Sequence, residues 1–97
     1  MALTTLAPGP AMHIGLSGDL TIAEAAETRD ALALALTTSE TLDLDLGALE
    51  NIDVAGLQVL LALLLEKHPV RLTNPSEALR KVVGLLHIEA LQNRLPN

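Results

Sequence analysis

Leu42-Asp43-Leu44-Asp45-Leu46-Gly47-Ala48-Leu49-Glu50-Asn51-Ile52-Asp53-Val54-Ala55-Gly56-Leu57-Gln58-Val59-Leu60-Leu61-Ala62-Leu63-Leu64-Leu65-Glu66 is the stretch that decides the fold. Its first part alternates strictly: Leu42, Leu44 and Leu46 are separated by Asp43 and Asp45. Period two is the pattern of a strand with one buried face. Gly47 to Asn51 reads as a short polar loop. Asp53 stands where a helix N-cap stands, with a carboxylate able to accept the first free backbone N–H groups. From Val54 the residues are apolar with helical spacing. Strand, short loop and capped helix make half of a βαβ unit.

Downstream, Lys67-His68-Pro69 stops this helix, because proline cannot continue it. Val70 to Thr73 reads as a short strand with Val70 and Leu72 on one face. Asn74-Pro75-Ser76-Glu77 reads as a helix start, with Asn74 as N-cap and Pro75 at the first helical position. That helix is expected to run to about Leu86, with Gly84 a candidate break, and Ile88 to Leu95 adds a short terminal helix. Upstream, Ala2 to Ala7 reads as a short strand and Pro8-Gly9-Pro10 as a turn. Met12, Ile14 and Leu16 alternate with His13, Gly15 and Ser17, a second strand antiparallel to the first. Thr21 followed three residues later by Glu24 is a capping box. It opens a helix from about Ile22 to Leu36, whose inner stripe holds Ala25, Thr28 or Arg29, Leu32 and Leu36. The order β-β-α-β-α-β-α predicts an α/β fold with a mixed sheet of four to five strands. The later βαβ units should be parallel. Since the strands alternate instead of being apolar throughout, helices should cover mainly one side of the sheet.

Composition bounds the function. A chain of 97 residues predicts one domain spanning residues 1–97. Its hydrophobic share is 49%, with no Phe, Tyr or Trp, so the core must be aliphatic. A net charge of −6 argues against nucleic acid, whose affinity rests on Lys and Arg at phosphates, and against an anionic membrane surface. With no cysteine there is no disulfide frame and no thiolate metal site. The N-terminus does not read as a signal peptide. The longest apolar run, Val54 to Leu65, falls short of the roughly 20 residues of a membrane span. A cytoplasmic protein without membrane insertion is the expectation.

Leu42 to Leu46 followed by Asp53-Val54-Ala55-Gly56-Leu57 resembles the STAS domain, the family named for sulfate transporters and anti-sigma-factor antagonists. Gly18-Asp19-Leu20-Thr21-Ile22 is similar to that family's approach to its first helix, and Asn74-Pro75-Ser76 fits its last one. The resemblance implies a non-catalytic regulator, similar to an anti-sigma-factor antagonist or its chemotaxis-linked relatives, that binds another protein, an anti-sigma kinase-like partner. In antagonist members the residue just before the glycine is the serine or threonine that a partner kinase phosphorylates. That position is Ala55 here, and the preceding one, a threonine in some members, is Val54. Neither side chain can accept a phosphoryl group. Free-standing STAS proteins also brace the ATPase of a lipid-exporting ABC transporter. Those members similarly use Asp-x-Ala-Gly, which sets a structural subunit beside the regulator as the competing reading.

Helical stepping places Leu57, Leu60, Leu61 and Leu64 toward the core and Ala55, Gln58, Ala62 and Glu66 opposite them. Val59 and Leu63 flank that outer face on one edge, Val54 and Leu65 on the other. A solvated helix face normally carries several charges, and this one carries only Glu66. The candidate partner-binding face is therefore Asp53, Ala55, Gln58, Val59, Ala62, Leu63 and Glu66. Asp53 also has a purely local explanation as a cap. On the open sheet face His13, Asp43, Asp45 and Arg71 could converge on a metal, but cross-strand charge pairing accounts for them more simply. His68 and His87 sit at helix ends, where a cation suits the dipole. No nucleophile–base set and no phosphate-cradling loop is legible, so neither catalysis nor a cofactor is expected. Self-association through the leucine-rich edges is also open.

Overall fold

The computed structural model describes residues 2–7, 11–65 and 69–95. In chain order the elements are β1 (Ala2–Ala7), β2 (Ala11–Leu20), α1 (Ile22–Thr38), β3 (Thr41–Ile52), α2 (Val54–Leu64), β4 (Val70–Thr73), α3 (Glu77–Leu85) and α4 (Glu89–Gln92). The strands form a four-stranded sheet in the order β1-β2-β3-β4. β1 pairs antiparallel with β2. β2 with β3 and β3 with β4 are parallel. The sheet is thus mixed, with the N-terminal strand as one of its four members. The Pro8-Gly9-Pro10 turn, Glu66, Lys67 and His68 lie outside the described residues.

One aliphatic core joins the layers. Ile14, Leu16, Leu42, Leu44, Leu46, Val70 and Leu72 are buried on one face of the sheet. They meet Leu32 and Leu36 of α1, Leu57 and Leu60 of α2, Leu79 and Val83 of α3 and Leu91 of α4 in a single cluster. Each leucine so buried contributes about 2 kcal/mol. The opposite face keeps His13, Asp43, Asp45 and Thr73 half-buried and Arg71 exposed. Alternation along each strand therefore puts the helices on one side.

Three expectations need correction. β3 does not end at Leu46 but continues to Ile52. Its pairing with β2 shifts twice: Gly15–Ser17 lies opposite Asp45–Ala48, and Gly18–Asp19 opposite Leu49–Asn51. At each shift β3 carries an extra residue, a β-bulge. The inward set thereby passes from Leu42, Leu44 and Leu46 to Leu49, which is buried. The period-two signal breaks there although the strand does not. Gly18, at φ 78°, supplies the left-handed backbone beside the second shift. Second, the cap of α3 is Ser76 and not Asn74: Ser76 Oγ accepts from Leu79 N–H at 3.1 Å. Asn74 is in the left-handed region at φ 47° and donates its amide to Asp45 Oδ1 at 3.2 Å. Third, α3 runs through Gly84 without a break. On α1 the inner stripe takes Thr28, which is buried, and leaves Arg29 exposed.

Candidate functional site

The start of α2 is held by Asp53. Its Oδ1 accepts from Gly56 N–H at 3.0 Å, as the sequence predicts for an N-cap. Its Oδ2 accepts from Ile22 N–H at 2.9 Å. That second bond reaches across the fold to the first residue of α1, so one carboxylate caps two helices. The Gly56 N–H, and after it the Ile22 N–H, hold the Asp53 carboxyl below the ordinary aspartate value. On the other side of the joint, Glu24 Oε2 accepts from the Thr21 hydroxyl at 2.6 Å and from Thr21 N–H at 3.4 Å. The helix starts also meet through backbone, since Asp53 N–H reaches Leu20 C=O at 3.4 Å.

Gly56 is what lets the two elements approach. A Cβ at this position would run into the Leu20 carbonyl oxygen and stand 2.9 Å from Leu20 Cγ. Only hydrogen fits, so the glycine of the Asp-x-x-Gly-Leu motif has a steric reason to be there.

Beyond the joint, α1 and α2 lie side by side with a groove of about 320 Å³ between them. Ala25, Ala26 and Arg29 line it from α1, and Ala55, Gln58 and Ala62 from α2. Small side chains keep its floor low. The first residues of the two helices are apolar and exposed: Ile22 at 78% and Val54 at 57%. Exposed aliphatic residues around a groove of small residues give a surface suited to close protein contact.

Of the residues nominated from sequence, Ala55, Gln58, Val59 and Ala62 line the groove, and Asp53 caps the helix starts beside it. Val59 lines the groove at its inner edge, and Leu63 lines a neighbouring recess between the same two helices. They are 6% and 5% exposed, turned into the core beside α1. Stepping around an isolated helix cannot see the neighbour that covers them. Glu66 lies outside the described residues. Ile22, Ala26 and Arg29 belong to the surface and were missed. Their signal in the sequence is faint: an isoleucine at a helix start that no inward stripe requires. His13, Asp43 and Arg71 do sit on adjacent strands in register. Among the described residues no group of three His, Asp and Glu converges as a metal site. His87 is exposed at φ 51° after the end of α3. No helix among the described residues is long and apolar enough to cross a membrane.

Comparison with known proteins bears on this arrangement. No curated protein matches the sequence significantly. The fold is similar to that of the anti-sigma factor antagonist SpoIIAA in its unphosphorylated form, with a TM-score of 0.77 and 20% identity over 98% of this chain and 86% of that one. The Bacillus cell fate determinant SpoIIAA in its phosphorylated form gives a TM-score of 0.72 at 20% identity, over 98% of this chain and 89% of that one. An anti-sigma factor antagonist from Mycobacterium paratuberculosis gives 0.74 at 20% identity, over 93% and 80%. A family model described as "Mlab, STAS domain" matches residues 4–93, nearly the whole chain. With that match, and with the bulged acidic strand and the Asp53-capped helix both in place, the chain belongs to the STAS domain family.

Proposed function

We propose that residues 1–97 act in the cytoplasm as a single non-catalytic STAS regulator that binds another protein through the α1–α2 groove. The observation that carries this reading is the apolar groove running up to a helix start with no hydroxyl at residues 54 and 55. In a STAS antagonist, a phosphoryl group there would add close to two negative charges beside the partner. Val54 and Ala55 have no oxygen to receive one. The surface is therefore constitutively in its unmodified form. The partner is an ATP-binding, anti-sigma kinase-like protein, and phosphate at these two positions does not set its affinity.

A second reading has a specific observation in its favour, the family description "Mlab, STAS domain". It makes the chain a structural subunit that braces the ATPase of a lipid-exporting ABC transporter. The same groove would serve, with a membrane ATPase on it instead of a soluble kinase.

Purification of the tagged protein from its own cells separates the two. A soluble ATP-binding regulator supports the first and a membrane ATPase the second. The complex is then reconstituted with Ala62→Arg, which places a long cation on the exposed groove floor. We expect at least a tenfold loss of affinity, about 1.4 kcal/mol, with an unchanged melting temperature. Adding ATP should leave the native complex intact. Unchanged affinity for Ala62→Arg sinks the groove. Dissociation on ATP, with label on another Ser or Thr, sinks the constitutive surface.

A further inference from the structure

Strand β1 forms one edge of the sheet and β4 the other. A sheet edge offers a row of unpaired N–H and C=O groups to any extended chain, and proteins blunt it with charge, short length or a cover. The β4 edge is blunted in all three ways. It has four residues, it carries the exposed Arg71, and the Arg94 guanidinium donates to the Val70 carbonyl at 3.0 Å. Among the described residues β1 has none of these protections. It is six residues long, Ala-Leu-Thr-Thr-Leu-Ala, and uncharged. Its first four residues face Ser17 to Ile14 in unbroken register, and the shift comes only between Thr5 and Ala7. Thr4, Thr5 and Leu6 are exposed.

The distribution of charge bears on what fits this edge. Residues 1–18 hold no Asp, Glu, Lys or Arg, so the whole net charge of −6 lies in residues 19–97. Two copies of such a chain repel, and they approach at least cost through an uncharged strand. The side chains of β1 leave room for this. Leu3 packs against the core on the helix side. Thr4 and Leu6 turn to the outer face, where with Gly15, Gly47 and Asn74 they line a groove of about 360 Å³. When a strand pairs antiparallel with its own copy, opposed residues share a face, so a two-fold axis at the middle of β1 passes through Thr4 or Thr5. Either register sets threonine opposite threonine, a favourable cross-strand pair. On the helix side Leu3 shares a recess with Glu24, Glu27 and Ala31 of α1. Glu24 accepts from the Thr21 hydroxyl, whereas Glu27 is exposed, so each copy brings one exposed carboxylate close to the edge.

We propose that the chain forms a homodimer by antiparallel pairing of β1 with β1 of a second copy, joining two four-stranded sheets into one of eight strands. Glu27 and Ala31 lie on the flank of α1 toward β1, and Ala25, Ala26 and Arg29 on the flank toward α2. The dimer therefore leaves the α1–α2 groove open and stands or falls independently of the partner reading.

Sedimentation equilibrium of the full chain over about a hundredfold range of concentration should show monomer and dimer. Association should tighten as salt is raised, because salt screens the repulsion between the copies. Thr4→Glu and Thr5→Glu each bring like charges together across the axis and should weaken the dimer at least about tenfold with an unchanged melting temperature. Gln58→Glu adds the same charge in the α1–α2 groove and should leave the dimer intact. Mixing isotope-labelled and unlabelled native chains gives a readout that needs no variant: intermolecular NMR contacts should join β1 to β1. The proposal is overturned by a monomer at every concentration and salt, by association that weakens with salt, or by a dimer that survives both glutamate substitutions in β1. Intermolecular contacts centred away from β1, or loss of the dimer in Gln58→Glu, would place the second copy elsewhere and overturn it equally.

Discussion

Helix α2 opens on Asp53, whose carboxylate accepts from Gly56 N–H at 3.0 Å. Helix α3 opens on Ser76, whose hydroxyl accepts from Leu79 N–H at 3.1 Å. Each follows a parallel strand and each contains a glycine. Locally they are the same construction. Ser76 is buried, and its own N–H reaches Leu46 C=O at 3.1 Å, so its cap closes a helix onto the sheet. Asp53 is charged and half-exposed, and its second oxygen reaches α1 at Ile22. Its cap joins two helices and builds the surface between them. The glycines differ in the same sense. Gly56 is pressed against Leu20, whereas a Cβ on Gly84 would meet nothing within 4 Å. A capped helix start is thus a local device, and what lies across from it decides whether it serves stability alone or also shapes a site.

Adding one methyl group to each glycine should separate the two helix starts most strongly. Gly56→Ala must push α2 away from Leu20, and we expect a loss of about 3 kcal/mol in urea unfolding, with the groove distorted as well. A loss under about 1 kcal/mol would show that the contact is slack. Removing the caps comes next. Ser76→Ala should cost about 1 kcal/mol at any pH between about 4 and 8. Asp53→Ala should lower the melting temperature further, because two helix starts lose an acceptor.

Acid sharpens the same contrast. The Asp53 carboxyl is depressed in the fold, so its contribution is present above 3.8, the ordinary aspartate value, and is lost as pH falls through the lower folded value. The stability gap between the native chain and Asp53→Asn should be constant near neutrality and close in acid. The gap for Ser76→Ala should not change. A gap for Asp53→Asn that persists to the lowest pH would mean that the two N–H bonds do not favour the charged form. Gly84→Ala carries the smallest effect, a gain of about 0.5 kcal/mol from helix propensity alone.

Much of the fold was legible because its signals are local. The alternation at Leu42 to Leu46, the aspartate before an apolar helix and the proline after it each depend on a few adjacent residues. The extension of β3 was not legible, because two bulges against β2 move the buried position from Leu46 to Leu49 and erase the period. The misplaced cap on α3 has a similar cause: Asn74 and Ser76 are both good caps, and the bond from Asn74 to Asp45 on a neighbouring strand selects Ser76. At the candidate site Asp53, Ala55, Gln58 and Ala62 could be read from helical stepping. That Val59 and Leu63 are nearly buried, and that Ile22, Ala26 and Arg29 join the groove, could not be read, for one reason: the neighbour of α2 is α1.

The stretch from Leu42 to Glu66 by itself determined a strand, a cap and a helix, and it determined that no hydroxyl stands at residues 54 and 55. Those are properties of residue type and spacing. The tertiary structure alone decided that Asp53 serves two helices, that Gly56 lies against Leu20, and that Gly15, Gly47 and Asn74 frame a groove on the opposite face. Each of these joins residues far apart in the chain, and their meeting is set by strand register and helix docking, which no local pattern encodes.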